Sequence, residues 1–350
     1  MSDPGTVAVA RLALGDHVID QTNSSNNPTR TALFVVGMPR SGTKLLRSLL
    51  NRHSALHIPD YESRFIPKMA RRYAGIADLR EHGAFDQLAA SIAKTNFWHN
   101  LVTRDGSIDE SRWRSRIQRW DFEGVIRALY EQLAENAGKR IWGDKTPQYL
   151  TELPTIAQHF PYARFVHIVR DARDVCLSSR QAWGKCLLRN AQRWNDDVAR
   201  CRADGKRLEG RYLELRYESL IQQPRIELER ICEFLAIPFE ADMLTLLRSP
   251  EELGDTKGVS SIVSTNSGKW RDKLSAQQLQ AMENVAGQVL HECGYETTFR
   301  DRARRVPQWK MSLMRALDAV NFARVSFRNT PNVKRALRIL RTSTTYRSSA

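Results

Sequence analysis

Short apolar runs alternate along the chain with stretches in which hydrophobic residues recur at helical spacing. Residues 33–36 and 164–169 are short, mostly apolar and rich in β-branched or aromatic side chains, which is typical of buried strands. Residues 45–50 follow the first run and carry leucines at helical spacing. This alternation predicts an α/β fold with a central parallel sheet that helices cover on both faces.

Further elements follow from the same patterns. Residues 143–147, Gly-Asp-Lys-Thr-Pro, contain Gly and Pro and are predicted to form a loop. A short, mostly apolar stretch at residues 140–142 precedes this loop. The other expected elements are strands at residues 55–58 and 211–215, helices at residues 64–73, 172–183 and 190–203, and mostly helical structure over residues 80–138.

A phosphate-loop pattern follows the first predicted strand. Gly37 and Gly42 keep the Gly-x-x-x-x-Gly spacing of a P-loop. However, Thr43 stands where a P-loop has the lysine that reaches the β and γ phosphates, and Lys44 stands where it has the hydroxyl that holds Mg²⁺. The pattern therefore predicts an anion site but disfavours a magnesium–triphosphate site.

Backbone N–H groups and a helix N-terminus can bind an anionic oxygen whatever the side chains are, because these donors come from the loop conformation. Such a site suits a 5′-phosphosulfate, with Arg40, Ser41, Thr43 and Lys44 as further donors. A plain turn between a strand and a helix is the alternative interpretation.

Composition narrows the class of protein. With 350 residues, 41% of them hydrophobic, the chain can form one large globular domain with appendages. The five cysteines are scattered without a Cys-x-x-Cys pair, which favours a reducing compartment and no structural metal. No apolar run approaches the ~20 residues that cross a bilayer, and no signal-peptide pattern is present, so we expect a cytoplasmic protein.

The formal net charge of +15 is concentrated near the C-terminus, where residues 301–350 contain twelve Arg or Lys but only two Asp. Basic residues alternate there with apolar ones, which predicts basic amphipathic helices. We expect this extension either to contact an anionic membrane at its inner face or to pack on the body with a solvated basic face, and we expect no nucleic acid partner. The predicted parts are a flexible arm at 1–30, a catalytic domain at 31–298 and a basic helical extension at 299–350.

Polar side chains collect at the ends of three predicted strands, where open α/β sheets bind ligands. The three segments are residues 37–44, 170–178 and 216–219. Within the second, Arg170 and Ser178 are separated by about two helical turns and lie on one face. Arginine suits a second phosphate because its planar fork makes bidentate contacts, although a salt bridge with Asp171 or Asp174 is the alternative.

Together these features resemble the sulfotransferases that use 3′-phosphoadenosine 5′-phosphosulfate (PAPS). The resemblance is closest to the tyrosylprotein sulfotransferase branch and its bacterial relatives, and it extends from about Leu33 to Tyr295. It implies a P-loop-type three-layer fold and in-line sulfuryl transfer to a hydroxyl of a peptidyl tyrosine, glycan, lipid or small molecule. The matching segments are GMPRSGTKLLR from Gly37, ESRFIP from Glu62, VRD from Val169 with Ser178, RYE from Arg216 and GKW from Gly268.

The resemblance also implies roles for individual residues. Glu62 would be the general base, Arg40 and Lys145 would stabilise charge on the transferred group and the leaving phosphate, and Arg64 would contact the substrate. Ser264 looks like the active-site serine of the family, although Ser260, Ser261 and Ser267 compete for that place. The implied donor contacts are Arg40, Ser41, Gly42, Thr43 and Lys44 on the 5′ side, Arg170 and Ser178 on the 3′ side, and Tyr217 and Lys269 beside the nucleotide.

For two of these residues the sequence leaves a plainer interpretation open. Glu62 could be an exposed surface acid, and Lys145 could simply pair with Asp144 or another carboxylate.

The chain departs from the family pattern at three points. Lys44 replaces a threonine of the family pattern, and the loop before Lys269 is shorter than in the family. Arg180 stands two positions before the family's second basic contact, so we leave it out of the expected site. Two other functions compete with sulfuryl transfer. A P-loop kinase or NTPase is disfavoured by Thr43 and Lys44, and a nonenzymatic membrane-surface adaptor would act through residues 301–350.

Overall fold

The computed structural model describes residues 31–105, 108–299 and 304–329. Its centre is a five-stranded parallel sheet with the strand order β2-β3-β1-β4-β5. The arm predicted at residues 1–30 and the tail beyond residue 329 lie outside the described residues. The strands are β1 Ala32–Val36, β2 Leu56–His57, β3 Ile141–Lys145, β4 Ala163–Val169 and β5 Tyr212–Arg216.

Helices surround this sheet, and the predicted helix at residues 172–183 is confirmed with the same bounds. The helix predicted at residues 190–203 is longer than expected, and the one predicted at residues 64–73 starts later. The helices are α1 Thr43–Leu50, α2 Ile66–Tyr73, α3 Ala84–Ala93, α4 Asn96–Asn100, α5 Glu110–Ser115, α6 Phe122–Asn136, α7 Leu153–His159, α8 Ala172–Trp183, α9 Leu187–Lys206, α10 Tyr217–Gln222, α11 Pro224–Leu235, α12 Trp270–Lys273, α13 Ala276–Glu292 and α14 Gln308–Asn329.

The strand β1 separates two apolar layers, because successive side chains of a strand point to opposite faces of the sheet. Phe34 and Val36 pack into the layer that includes residues of α6, α7 and α9. Leu33 and Val35 pack into the other layer, with residues of α1, α10 and α11. All four side chains are fully buried. The predicted three-layer α/β fold is therefore confirmed.

The prediction of a loop at residues 143–147 is wrong, because β3 continues to Lys145 between β1 and β2. Gly143 serves close packing here rather than a turn: a Cβ atom at this position would lie 2.7 Å from the carbonyl oxygen of Leu33. The irregular backbone starts later, where residues Pro147–Thr151 form a short 3₁₀ turn. Lys145 is consequently fixed at the carboxyl end of a buried strand.

The parallel arrangement brings four chain segments to one edge of the sheet. The phosphate loop follows β1, Lys145 ends β3, Arg170 follows β4 and Tyr217 follows β5. These are the positions at which open α/β sheets bind ligands. Across the described ranges, no helix combines the length and the apolar character that a bilayer crossing requires.

Candidate active site

The loop after β1 is a tight turn that leads directly into α1. The Ser41 N–H donates to the Met38 carbonyl at 3.0 Å, and Gly42 adopts the left-handed conformation with a φ of 93°. A Cβ atom on Gly42 would lie 2.3 Å from the ring of Tyr217, so only glycine lets this ring pack on the loop. The Ser41 hydroxyl is buried and finds no hydrogen-bond partner in the described part of the chain. A buried, unsatisfied hydroxyl beside a helix N-terminus suits an anionic oxygen.

Arg170 extends from the end of β4 towards this loop. Its guanidinium donates to the carbonyls of Arg40 at 3.1 Å and Asn266 at 2.8 Å, and it lies 4.3 Å from the centroid of the Tyr217 ring. The Nε atom of Arg170 is buried, and no acceptor for it exists among the described residues. The groups that Arg170 contacts directly are thus neutral, and the carboxylate of Asp174 interacts with its charge without forming an ion pair.

The carboxylate next to Arg170 in the chain has another partner. Asp171 pairs with Arg173 at 2.6 Å and accepts a hydrogen bond from the Arg173 backbone, which caps α8. Within the described ranges, no ion pair joins Arg170 to a carboxylate. Among the described residues, Arg170 therefore forms neither of the two salt bridges that the alternative interpretation requires, since Asp174 accepts hydrogen bonds from the Gly268 and Trp270 N–H groups instead.

Arg40 lies in the phosphate loop with a left-handed φ of 76°. Its Nε donates to the Ser178 hydroxyl at 3.0 Å, and its two terminal nitrogens donate to a Glu251 carboxylate oxygen and to the Leu253 carbonyl, both at 2.9 Å. Arg40 and Ser178 come from separate sequence motifs, so the fold brings the 5′ and 3′ halves of the predicted donor site into direct contact.

A cavity of about 280 Å³ lies between the phosphate loop, α8 and the irregular segment before α12. Five cationic side chains and three carboxylates line it, which favours a polyanionic ligand. The cations are Arg40, Arg170, Arg180, Lys269 and Lys273, and the carboxylates are Asp174, Glu251 and Asp255. Gly42, Ser178 and Tyr217, which the sequence also predicted for the site, line the same cavity.

Other predicted residues lie outside the walls of this cavity. Thr43 is buried at the start of α1, and Lys44 is half-buried. Ser264 is exposed, whereas Ser261, one of the competing serines, lines the cavity.

Several residues of the cavity wall were not predicted from the sequence. Arg180 was left out because its spacing differs from the family pattern, although it lies on α8 close to Ser178 and reaches the cavity. Glu251 and Asn266 also line the cavity, but they lie in irregular backbone that carries no periodic signal.

A second group of charged residues lies at the end of β3. The Lys145 Nζ atom is 2.9 Å from one oxygen of Glu62, and the Nε of Arg64 is 2.8 Å from the other oxygen. Lys145 is 1% exposed and the Glu62 side chain is 19% exposed, so this ion pair is largely shielded from bulk water. The plainer reading of Glu62 as a solvated surface acid does not fit this environment, and the carboxylate partner of Lys145 is Glu62.

The charged side chains of this group shift the pKa values of one another. Burial alone would raise the pKa of Glu62, but the adjacent Lys145 and Arg64 outweigh it and lower the pKa to about 2. Burial lowers the pKa of Lys145, the charge of Glu62 opposes this shift, and the charges of Arg47 and Lys44 reinforce it. Lys44 therefore acts electrostatically on Lys145, which connects the phosphate loop to the second group. Glu62 is ionised at neutral pH and is held as an ion-pair acceptor.

The model of the sulfotransferase family matches residues 32–241, which is more than half of the chain. The chain belongs to the sulfotransferase family. It is accordingly a transferase, and the predicted family resemblance is confirmed.

Two relatives show how far the similarity extends. A protein-tyrosine sulfotransferase of Drosophila melanogaster is 26% identical over 281 residues, which cover 76% of this chain and 49% of that protein. Nodulation protein NoeE of Sinorhizobium fredii is 25% identical over 306 residues, which cover 78% of this chain and 68% of that protein. This sulfotransferase chain thus spans about half to two thirds of the length of these relatives.

A solved structure supports the fold. The sulfotransferase domain from the curacin biosynthetic pathway matches with a TM-score of 0.50 and 21% identity, over 76% of this chain and 98% of that chain. At this identity the match concerns the fold alone. In the described residues of this sulfotransferase, His, Cys, Asp and Glu side chains form no group of three or more that could hold a metal ion.

Proposed function

We propose that this sulfotransferase moves a sulfuryl group from PAPS to a hydroxyl acceptor by in-line transfer. The observation that carries the proposal is the convergence of Arg40, Arg170 and Ser178 on one cavity beside the unsatisfied hydroxyl of Ser41. The free hydroxyl and the free Nε of Arg170 fit the two anionic ends of the donor. The 5′-phosphosulfate belongs at the phosphate loop and the 3′-phosphate near Arg170 and Ser178.

Catalysis of this transfer requires stabilisation of negative charge and a proton acceptor, and it needs no covalent enzyme intermediate. As the acceptor oxygen bonds to sulfur, the S–O bond to the donor phosphate breaks and the acceptor proton passes to Glu62. Arg40 and Lys145 stabilise charge on the transferred group and on the leaving phosphate, and Ser264 and Arg64 are proposed to help hold the reactants.

Glu62 is a weak base while Lys145 and Arg64 hold its pKa at about 2. A carboxylate accepts a proton more readily when a neighbouring cation moves away or shares its charge with another anion. We propose that Lys145 turns from Glu62 towards the leaving phosphate, which raises the basicity of Glu62 when the donor is bound. Donor binding and activation of the base are thereby coupled through one lysine.

The acceptor is a hydroxyl compound. The name of the Drosophila relative and the Glu-x-Arg segment at Glu62 favour a peptidyl tyrosine, with glycans, lipids and small-molecule alcohols as the other candidates. Transfer of radiolabelled sulfate from PAPS into a cell lysate, with the product identified by mass spectrometry, tests both the reaction and the acceptor. We expect label in one dominant product.

The donor is tested separately by calorimetry in the presence of a chelator. We expect 3′-phosphoadenosine 5′-phosphate (PAP) to bind more tightly than ATP, because Lys44 replaces the hydroxyl that holds Mg²⁺ in a P-loop. Equal affinities, or turnover of ATP that depends on magnesium, would favour the kinase or NTPase alternative.

We also propose that residues 301–350 contact an anionic membrane, so that the protein acts in the cytoplasm at the inner face of the membrane. The support comes from α14. Four of its large apolar side chains are between 48% and 65% exposed and share one side of the helix, namely Trp309, Leu313, Leu317 and Val320.

The opposite side of α14 is polar and attached to the body. The buried Asp318 pairs with Arg189 at 2.6 Å and accepts a hydrogen bond from the Cys186 N–H at 2.7 Å. Asn321 donates to the Gly184 carbonyl at 3.2 Å. The helix therefore presents its apolar side outwards, flanked by the exposed basic residues Lys310 and Arg324, which is typical of a helix that lies in a membrane interface.

Vesicle sedimentation tests this contact. We expect the protein to bind vesicles that contain anionic phospholipid, and the double variant Leu313→Glu and Leu317→Glu to lose binding. Leu247→Glu is the matched control, since Leu247 is 80% exposed on another surface. Equal binding by the double variant would overturn the contact, and loss of a dimer in sedimentation analysis would assign this side of α14 to self-association.

A further inference from the structure

An irregular segment closes one side of the donor cavity. It comprises residues 249–268, which we call the cover segment, and it contains no helix or strand. The Asn266 carbonyl accepts from Arg170, and the Asn266 side chain donates to the Tyr217 hydroxyl at 2.7 Å. Glu251 and the Leu253 carbonyl accept from Arg40. The cover segment is thus attached to both arginines of the predicted donor site.

One of these attachments differs from the others because it is charged. Glu251 forms an ion pair of 2.9 Å with Arg40, and the two side chains are only 14% and 11% exposed. The other acceptors on Arg40 are the Ser178 hydroxyl and the Leu253 carbonyl, which are neutral. Three of the five N–H groups of Arg40 therefore already have acceptors, and one of these acceptors neutralises its charge. A new anion that binds Arg40 has to share this charge with Glu251.

Glu251 is the acceptor that an incoming anion destabilises most. Two negative groups within a few ångströms repel each other strongly in a partly buried site, whereas a hydroxyl or a carbonyl can remain beside an anion at little cost. Glu251 also lines the cavity, so the ligand reaches it directly. An anionic ligand and Glu251 thus compete for the same cation.

We propose that Glu251 is a competing carboxylate, which neutralises Arg40 in the ligand-free protein and is displaced by the anionic donor. Its displacement breaks the contact between the cover segment and Arg40 at Glu251. This inference rests on the proposed function, because it requires a nucleotide with anionic groups in the cavity. It assigns to Glu251 a role in setting donor affinity, and it makes the cover segment the part of the site that responds to donor binding.

Calorimetric titration with PAP tests the inference on the full chain. We expect Glu251→Gln to bind PAP about fivefold more tightly than the unmodified protein, because one opposing charge is removed. Glu252→Gln is the matched control, since it removes the same charge from the adjacent, exposed residue. Its PAP affinity should be unchanged.

A second variant and a second measurement test whether the loss of charge is the cause of tighter binding. Glu251→Ala should also bind PAP more tightly, which excludes a new hydrogen bond from the glutamine as the cause. In thermal unfolding, both Glu251 variants should melt at a lower temperature without ligand and show a larger rise in melting temperature with saturating PAP.

The possible outcomes separate the two proposals. If Glu251 instead holds Arg40 in its binding position, Glu251→Gln and Glu251→Ala will bind PAP more weakly, and the inference is overturned. Unchanged PAP affinity in both variants overturns it as well, while leaving the donor proposal intact. Absence of PAP binding by the unmodified protein and by every variant overturns the donor proposal together with this inference.

Discussion

Two groups of charged side chains lie at the same edge of the sheet, and their hydrogen-bonding needs are met in opposite ways. In the cavity beside the phosphate loop, Arg170 is bound to neutral carbonyls, while its Nε and the nearby Ser41 hydroxyl have no hydrogen-bond partner among the described residues. In the group at the end of β3, Lys145, Glu62 and Arg64 satisfy one another through short ion pairs. In the first group, Arg170 and Ser41 are ready for an anion while Arg40 is paired with Glu251, and the charges of the second group are paired with one another.

This difference indicates how the two groups act. Arg170 can bind a ligand without first breaking an ion pair, so the cavity should determine donor affinity. A closed ion pair must rearrange before its members can touch the reacting atoms, so the second group should determine the rate of transfer. The predictions below test this division, starting with the largest expected effect.

Replacement of Lys145 should give the largest loss of activity. Lys145→Ala removes the cation that we assign to the leaving phosphate, and we expect a fall in turnover of about 10³-fold, with PAP affinity changed about threefold at most. Steady-state kinetics and calorimetry measure the two quantities. Because the variant leaves Glu62 partly buried with Arg64 alone, we expect a loss of stability of about 3 kcal/mol, which chemical unfolding checks. A loss of PAP affinity as large as the loss of turnover would contradict the division.

Glu62→Gln should slow transfer by about 10²-fold, because the amide cannot accept the acceptor proton. The change preserves the shape of the side chain and removes the charge that holds Lys145, so PAP should bind at least as tightly as before. Single-turnover rates with saturating PAPS measure the chemical step. An unchanged rate would remove Glu62 from the role of base and would leave its ion pair with Lys145 as a purely structural contact.

Arg170→Ala tests the cavity through affinity rather than rate. We expect PAP to bind about 30-fold more weakly, because a charge-assisted contact with the 3′-phosphate is lost. Adenosine 5′-phosphate serves as the control ligand, since it lacks the 3′-phosphate, and its affinity should change little. Equal losses for both ligands in calorimetry would remove Arg170 from the 3′ site.

The sequence predicted best the parts of the molecule that local signals define. The helix at residues 172–183 has the predicted bounds, since Asp171 caps its start and Gly184, in the left-handed conformation, follows its end. The loop predicted at residues 143–147 was wrong because Gly143 there permits close packing of strands, a purpose that the sequence pattern does not reveal.

Contacts between distant segments were harder to predict. Lys145 and Glu62 are 83 positions apart, and only the strand order brings them together. The cover segment has no hydrophobic period, so neither its position over the cavity nor the contact between Glu251 and Arg40 could be predicted from the sequence. Local pattern thus predicted which elements form, and the sheet topology determined which charges meet.

The smallest effect is expected from Ser178→Ala. Its hydroxyl is neutral and now accepts from Arg40, so its loss should weaken PAP binding only about threefold, as for a single uncharged hydrogen bond. Ser179→Ala is the matched control, because Ser179 is adjacent, buried and not among the residues of the cavity wall. Calorimetry of both variants with PAP makes the measurement. If Ser178→Ala lost as much affinity as Arg170→Ala, the hydroxyl would have to hold Arg40 in place, and the cavity would depend on a network of partners rather than on cations that are ready to bind.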